Sequence, residues 1–282
     1  MIILREGLGN TIADFPREEP RTGGLRNKTA GPLPFNPQSE IRNPQSAIKK
    51  GRHMARQKEQ DIEALKERLL KMGGFVEESI RKSVKALVER DRNLAIEVID
   101  GDAIVNNFDV EIEEECIRFL AIWQPTGSNL RFITTAIKII TDLERMGDLA
   151  VDICERTIEL NDEPPLKPYI DIPRMAEAAQ KMLKDSLDAF VARDAELALN
   201  VCAADDFVDN LNHQIFNELL VYMLKDPKNI SRAVRLTYIT KYLERIADHA
   251  TNIAEMVVYM VKGKVIRHTA CEARGDENRN PD

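Results

Sequence analysis

Acidic side chains recur at steps of four in the stretch "TDLERMGDLAVDICE", Thr141–Glu155. Glu144, Asp148 and Asp152 share one face if the segment is helical. Like charges stacked this way weaken an isolated helix, so the row needs something to face. Oxygen-rich clusters suit hard cations, or iron and manganese. An acidic face also suits a basic partner surface. The plain alternative is a solvated face neutralised by neighbouring Arg145. The pattern returns 100 residues later in "YLERIADHATNIAE", Tyr242–Glu255, with Glu244, Arg245 and Asp248 at matching places.

The elements that carry these rows read as helices. From Arg56 onward apolar residues recur at steps of three and four, as in Ile62, Leu65, Leu69, Met72, Val76, Ile80, Val84 and Leu87. Gly73-Gly74 interrupts the run, which predicts a kink or a close helix–helix approach. Further helices are expected over about 93–123, 130–160, 170–192, 195–224 and 229–262. "QPTGSN" (124–129) offers Ser128 or Asn129 as an N-cap. "NDEPPLKP" (161–168) is the longest breaker inside the body.

The body therefore reads as three helices, a Pro-rich link and three more. "VNNFDVEI" (105–112) matches "VDNLNHQI" (208–215), as the two acidic motifs match each other. A repeat of this size means two copies of one three-helix unit. The fold class is all-α: two tandem three-helix bundles, 54–162 and 163–268. Leu143/Leu243, Gly147/Ala247, Ala150/Ala250 and Ile153/Ile253 mark the stripe facing other helices. Residues 1–53, rich in Pro, Gly, Asn and Arg, read as a disordered tail or as sequence ahead of a start at Met54. Residues 269–282 read as a second tail.

Residues equidistant from a hairpin turn lie side by side, since both helices rise about 1.5 Å per residue. A turn near 126 brings Asp109 near Glu144, Asn106 near Asp148 and Asp102 near Asp152. A turn near 227 brings Asp205 and Asp209 near Asp248 and Glu244–Arg245. Each copy thus gathers carboxyl or amide oxygens from two neighbouring helices.

Composition narrows the function. The 282-residue chain has 5% aromatic and 31% charged residues and a formal charge of -7. Residues 1–53 hold nine Lys/Arg and five Asp/Glu, leaving 31 basic and 42 acidic residues in 54–282. An acidic body argues against nucleic acid as a partner. No apolar run approaches the roughly 20 residues of a membrane span, so a membrane is reached only through partners. Cys116, Cys154, Cys202 and Cys271 form no C-x-x-C pair. The first three sit inside helical apolar patterns, where Cys acts as a small hydrophobe; Cys116 and Cys154 are expected in core packing, and a reducing cytoplasm fits. A carboxylate di-iron enzyme expects Glu-x-x-His pairs, and the chain has none. No P-loop or Rossmann glycine pattern occurs either, so no enzyme is indicated. His249 is expected at the surface, and Trp123 beneath the "QPTG" turn.

The body resembles the PhoU family of phosphate-specific transport accessory and regulatory proteins. The resemblance rests on "MGGFVEESI", "VIDGDAIVNN", "RFLAIWQPTGSNLR", "DLERMGD", "YLERIADHATNIAE" and "MVKGKVIRH", in order over about residues 57–268. It implies two three-helix bundles with pseudo-twofold symmetry, usually in a homodimer. It implies a cytoplasmic negative regulator of the phosphate-starvation response that also restrains phosphate uptake. The implied partners are a sensor histidine kinase and the ATPase subunit of a phosphate ABC transporter. The implied cofactor is multinuclear iron, or another divalent metal such as manganese, magnesium or zinc. By motif the metal residues are Glu144, Asp148, Glu244, Asp248, Asp205, Asp209 and Asp102, with Asn106, Asp109 and Asp152 in support. Asn106 stands where the family pattern has an acid, so the first site loses a charge. Asn129 and Ala247 also depart from the pattern. A metal-binding adaptor or storage protein without a phosphate role is the alternative.

Overall fold

The computed structural model describes residues 44–263. The rest of the expected N-terminal tail (1–43), the last residues of the expected second bundle (264–268) and the expected C-terminal tail (269–282) lie outside the described residues. The chain separates into two units, Met1–Ile48 and Lys49–Asp282, and the bundles described below lie in the second.

Six helices carry the fold: α1 (Pro44–Glu89), α2 (Arg92–Trp123), α3 (Gly127–Leu160), α4 (Asp171–Ala192), α5 (Ala195–Lys225) and α6 (Ile230–Lys262). A single 3-10 turn, Pro227–Asn229, joins α5 to α6. There are no strands among the described residues. Helix α1 reaches back to Pro44, so residues 44–53, expected in the tail, are helical. Pro is well suited to a first helical position, and extending an existing helix is cheap beside nucleating one. Helix α3 begins at Gly127 with Thr126 as N-cap, ahead of the expected Ser128 or Asn129.

The two copies share their joints as well as their helices. Asp91 caps α2 through the amides of Asn93 and Leu94, and Asp194 caps α5 through those of Glu196 and Leu197. Each cap satisfies backbone donors that a helix start leaves unpaired. The residue before each cap is an arginine in the left-handed region, Arg90 at φ 58° and Arg193 at φ 56°. Arg90 offsets this strain by donating to the carbonyls of Leu160, Asn161 and Glu163, at 3.1, 3.0 and 2.5 Å. A cation there also meets the negative end of α3.

One apolar core runs through all six helices, and includes Leu69, Ile112, Ile139, Leu183, Ile215 and Ile246. The stripe Leu143/Leu243, Ala150/Ala250 and Ile153/Ile253 is wholly buried, as its periodicity implies. In the first bundle Arg68 on α1 pairs with Glu111 and Glu115 on α2. The Trp123 indole donates to Asp61 of α1 at 2.8 Å, so it is tied to α1 rather than tucked under the turn. The bundles meet along several helices, Phe132 of α3 stacking on Phe190 of α4 with ring centroids 4.7 Å apart. Along α1–α4, a Cβ on Gly73 would run into the Leu187 side chain, while Gly74 has open space. The glycine pair thus serves close approach, and α1 continues through it unbroken. Along α3–α6, Arg235 reaches Glu159 at 2.8 Å and Asp142 meets His249 at 2.8 Å.

Candidate functional site

The α2–α3 hairpin assembles the first carboxylate group. Asp102, Asn106 and Asp109 come from α2, and Glu144 and Asp148 from α3. Asn106 donates to Asp102 Oδ2 at 2.7 Å. Gly147 lets α2 come close: a Cβ there would lie 3.3 Å from Asp102 Oδ1 and 3.4 Å from Val105. Burial pushes the carboxyls of Asp102, Asp109 and Glu144 above their ordinary values. Asp148 adds to the rise at Asp102 and Glu144, and Arg145 opposes it at Asp109 and Glu144. Arg145 lies 3.4 Å from Glu144 and 3.2 Å from Asp148, as the plain reading of this row foresees.

Asp152 departs from the expected register. It was placed opposite Asp102, yet Asp102 lies against Gly147 and Asp148. Asp152 instead feels Arg156 on its own helix and Arg245 on α6, and it acts on Tyr242. The reason is helical geometry. A step of four residues turns about 400°, some 40° past a full turn. Two steps from Glu144, the row has rotated from the α2 side towards α6.

The α5–α6 hairpin assembles the second group from Asp205 and Asp209 on α5 and Glu244 and Asp248 on α6. Here too the carboxylates outnumber the cations. Burial, then Asp209 and Asp248, push the Asp205 carboxyl up to about 6. The Thr251 hydroxyl, on α6, opposes the rise. Asp209 is raised by burial and Glu244, and Asp248 by burial, Glu244 and Asp209. Lys241 opposes both shifts and is ion-paired with Glu244. Ala247 occupies the place of Gly147 and is fully buried.

The two groups differ in their fitness for a cation. Among the described residues, no three His, Cys, Asp or Glu side chains converge as a ready-made metal site. In the first group, Asn106 removes a charge and already occupies Asp102 Oδ2. In the second, Asp205, Asp209, Glu244 and Asp248 bring carboxylate oxygens from two helices, the donor type that a hard cation takes.

His249 is not the surface residue its position suggested. It is 18% exposed and contacts Asp142 across the α3–α6 seam. Asp142 opens the first acidic motif, but its cross-bundle partner has no local signature in the sequence. The thiols meet expectation: Cys116, Cys154 and Cys202 are buried.

With this geometry in place, the comparisons with known proteins are direct. The PhoU domain matches residues 69–157 and 172–257. The chain belongs to the PhoU family. The double match follows the duplication of the bundle. A phosphate-specific transport system accessory protein PhoU homolog from Aquifex aeolicus is 44% identical over 216 residues, spanning 77% of this chain and 98% of that protein. The crystal structure of PhoU from Pseudomonas aeruginosa aligns with a TM-score of 0.70 at 40% identity, covering 73% of this chain and 99% of that one. The phosphate transport system regulatory protein PhoU from Streptococcus pneumoniae gives 0.69 at 29% identity, covering 74% and 98%. No helix among the described residues is long and apolar enough to cross a membrane.

Proposed function

We propose that this PhoU-family protein is an accessory regulator of phosphate transport rather than an enzyme. It restrains uptake by a phosphate ABC transporter and holds the phosphate-starvation response off when phosphate is plentiful. It does so by coupling the transporter ATPase to a sensor histidine kinase, acting in the cytoplasm as a homodimer. The observation that carries this reading is coverage. The match to a relative named as a phosphate-specific transport accessory protein spans 98% of that relative.

The acidic groups supply the working surface. Asp205, Asp209, Glu244 and Asp248 are the residues that would hold a divalent cation such as iron, manganese, magnesium or zinc. Such an ion would neutralise the carboxylates and tie α5 to α6. Glu144, Asp148 and Asp102, supported by Asn106, Asp109 and Asp152, form the weaker counterpart.

Alkaline phosphatase activity in phosphate-rich medium tests the regulatory role. Deleting the gene in the source organism is expected to raise it, and the full chain to restore it to low. Activity that stays low on deletion would overturn the reading. The metal part has its own test, the Glu144→Ala, Asp148→Ala, Glu244→Ala, Asp248→Ala variant. Its metal content by plasma mass spectrometry is expected to fall while its helical circular dichroism persists. Unchanged metal content would remove these residues as ligands.

A further inference from the structure

The closed end of the α5–α6 hairpin exposes apolar side chains that the core does not use. Phe216, Leu220 and Leu224 step by four along α5, and Ile230, Val234 and Tyr238 step by four along α6. These six side chains are between 38% and 78% exposed. Steps of four keep to one strip of a helix, so each set forms a row. Both rows lead into the second acidic group. On α5 the row runs back from Phe216 through His213 to Asp209 and Asp205. On α6 Tyr238 stacks on Tyr242, four residues on, and the adjoining strip leads by steps of three through Lys241 to Glu244 and then to Asp248. The hairpin face is thus apolar at the turn and acidic beyond it.

The duplicated unit provides an internal control. In the first copy the matching positions hold Glu113, Ile117 and Ala121 on α2, and Leu130, Thr134 and Lys138 on α3. Glu113 and Lys138 there are exposed and charged. The Thr134 hydroxyl is spent on the carbonyls of Leu130 and Arg131. The same hairpin therefore folds with a sparser apolar strip, Ile117 and Leu130 being 55% and 41% exposed among polar and charged neighbours. Contiguous exposed apolar surface that the fold does not require marks an interaction site.

We propose that this face binds an amphipathic α-helix of a partner protein. The partner's apolar stripe lies over Leu220, Leu224 and Val234, and Lys or Arg at one end faces Asp205, Asp209 and Asp248. Two antiparallel helices leave a groove that takes a third helix along its length. From Leu224 to Asp205 the face is about 28 Å long, which fits a helix of about 20 residues. Charge selects this occupant over two others. Anionic lipid headgroups are repelled by the acidic half. A twofold contact between copies lays each acidic half on its own kind or on an apolar stripe. The surface stands on its own residues and does not depend on which signalling system the protein serves.

Fluorescence anisotropy on the full chain in metal-free buffer tests the proposal. The probes are labelled amphipathic peptides of about 20 residues with Leu at i, i+4 and i+7. Four lysines sit at the N-terminal end of one probe and the C-terminal end of another. In the controls glutamates replace the lysines, or the same composition is scrambled. One Lys-ended helix is expected to bind saturably, and its Glu-ended and scrambled forms at least about tenfold more weakly. The Leu220→Glu, Leu224→Glu variant is expected to lose about tenfold or more in affinity. Ile117→Glu on the first hairpin is expected to leave binding unchanged. Both changes are at exposed positions, and circular dichroism confirms that the variants fold. Equal binding of Lys- and Glu-ended helices, or affinity indifferent to the Leu220→Glu, Leu224→Glu change, would overturn the proposal. So would self-association, or binding to phosphatidylglycerol vesicles, that this variant abolishes while no peptide binds.

Discussion

Replacing Asp205 by Asn removes a charge from the most strongly shifted carboxyl of the site. Asp205 titrates near 6 in the folded protein against an ordinary 3.8, because burial, Asp209 and Asp248 all disfavour its ionised form. Fully expressed, that difference is a penalty of about 3 kcal/mol on the folded state at neutral pH. Asp205 is only half-buried, and solvent screening reduces the figure to about 1–2 kcal/mol. Below about pH 4, folded and unfolded chains both carry the proton, and no penalty exists. Between about pH 4 and 6 the folded chain keeps a proton that the unfolded chain has lost, so stability falls as pH rises. Above about pH 6 the penalty is complete. Asn escapes it. In buffer with EDTA, Asp205→Asn is therefore expected to be more stable at pH 7 by about 1–2 kcal/mol, with Tm higher by about 2–8 °C. The two proteins are expected to converge at pH 4. Urea and thermal unfolding at both pH values measure this. Adding manganese is expected to raise the Tm of the unaltered chain more than that of the variant, since the ion stabilises only a state that binds it. Equal or lower stability of the variant at pH 7, or a gap that does not change with pH, would refute the reasoning.

Four further outcomes follow from the packing. Gly74→Ala is expected to gain about 0.5–1 kcal/mol by helix propensity, because its Cβ meets open space. Gly73→Ala is expected to lose about 1–2 kcal/mol against the buried Leu187, and urea midpoints compare the two. Arg90→Ala removes three bonds to the end of α3 and the link, and is expected to cost about 2 kcal/mol or more in the same assay. Burial pushes the Cys116 and Cys154 thiols up to about 12. Both are expected to resist alkylation at pH 8 until the chain unfolds, as read site by site in peptide mass spectra.

Much of the site was legible because its determinants are local. Glu144 with Asp148, and Glu244 with Asp248, were paired by spacing, and the shared motif named them twice. The α5 partners Asp205 and Asp209 followed from counting residues about the turn, and they lie among Glu244 and Asp248. The same count failed for Asp152. Asp102 lies level with Gly147 and Asp148, four to five residues short of Asp152, so the count erred along the helix and also ignored rotation around it. His249 was missed for a related reason. Its partner Asp142 is 107 residues away on another bundle. Trp123 was set beneath its own turn, while the Asp61 that accepts its N–H belongs to α1.

By itself the sequence determined six helices, their duplication as two three-helix bundles and the acidic rows facing one hairpin groove in each copy. Each of these depends on periodicity within a helix, on a breaker between helices, or on likeness between two segments. All are readable along one chain. Only the tertiary structure decided how the copies meet, through Gly73 against Leu187 and through the Asp142–His249 seam. It also decided how the two acidic groups differ: burial, Asp209 and Asp248 push Asp205 up to about 6, while Asn106 donates to Asp102. Those properties depend on how far one helix rotates and leans against another. That is a sum over contacts from several elements, and no single stretch of sequence contains it.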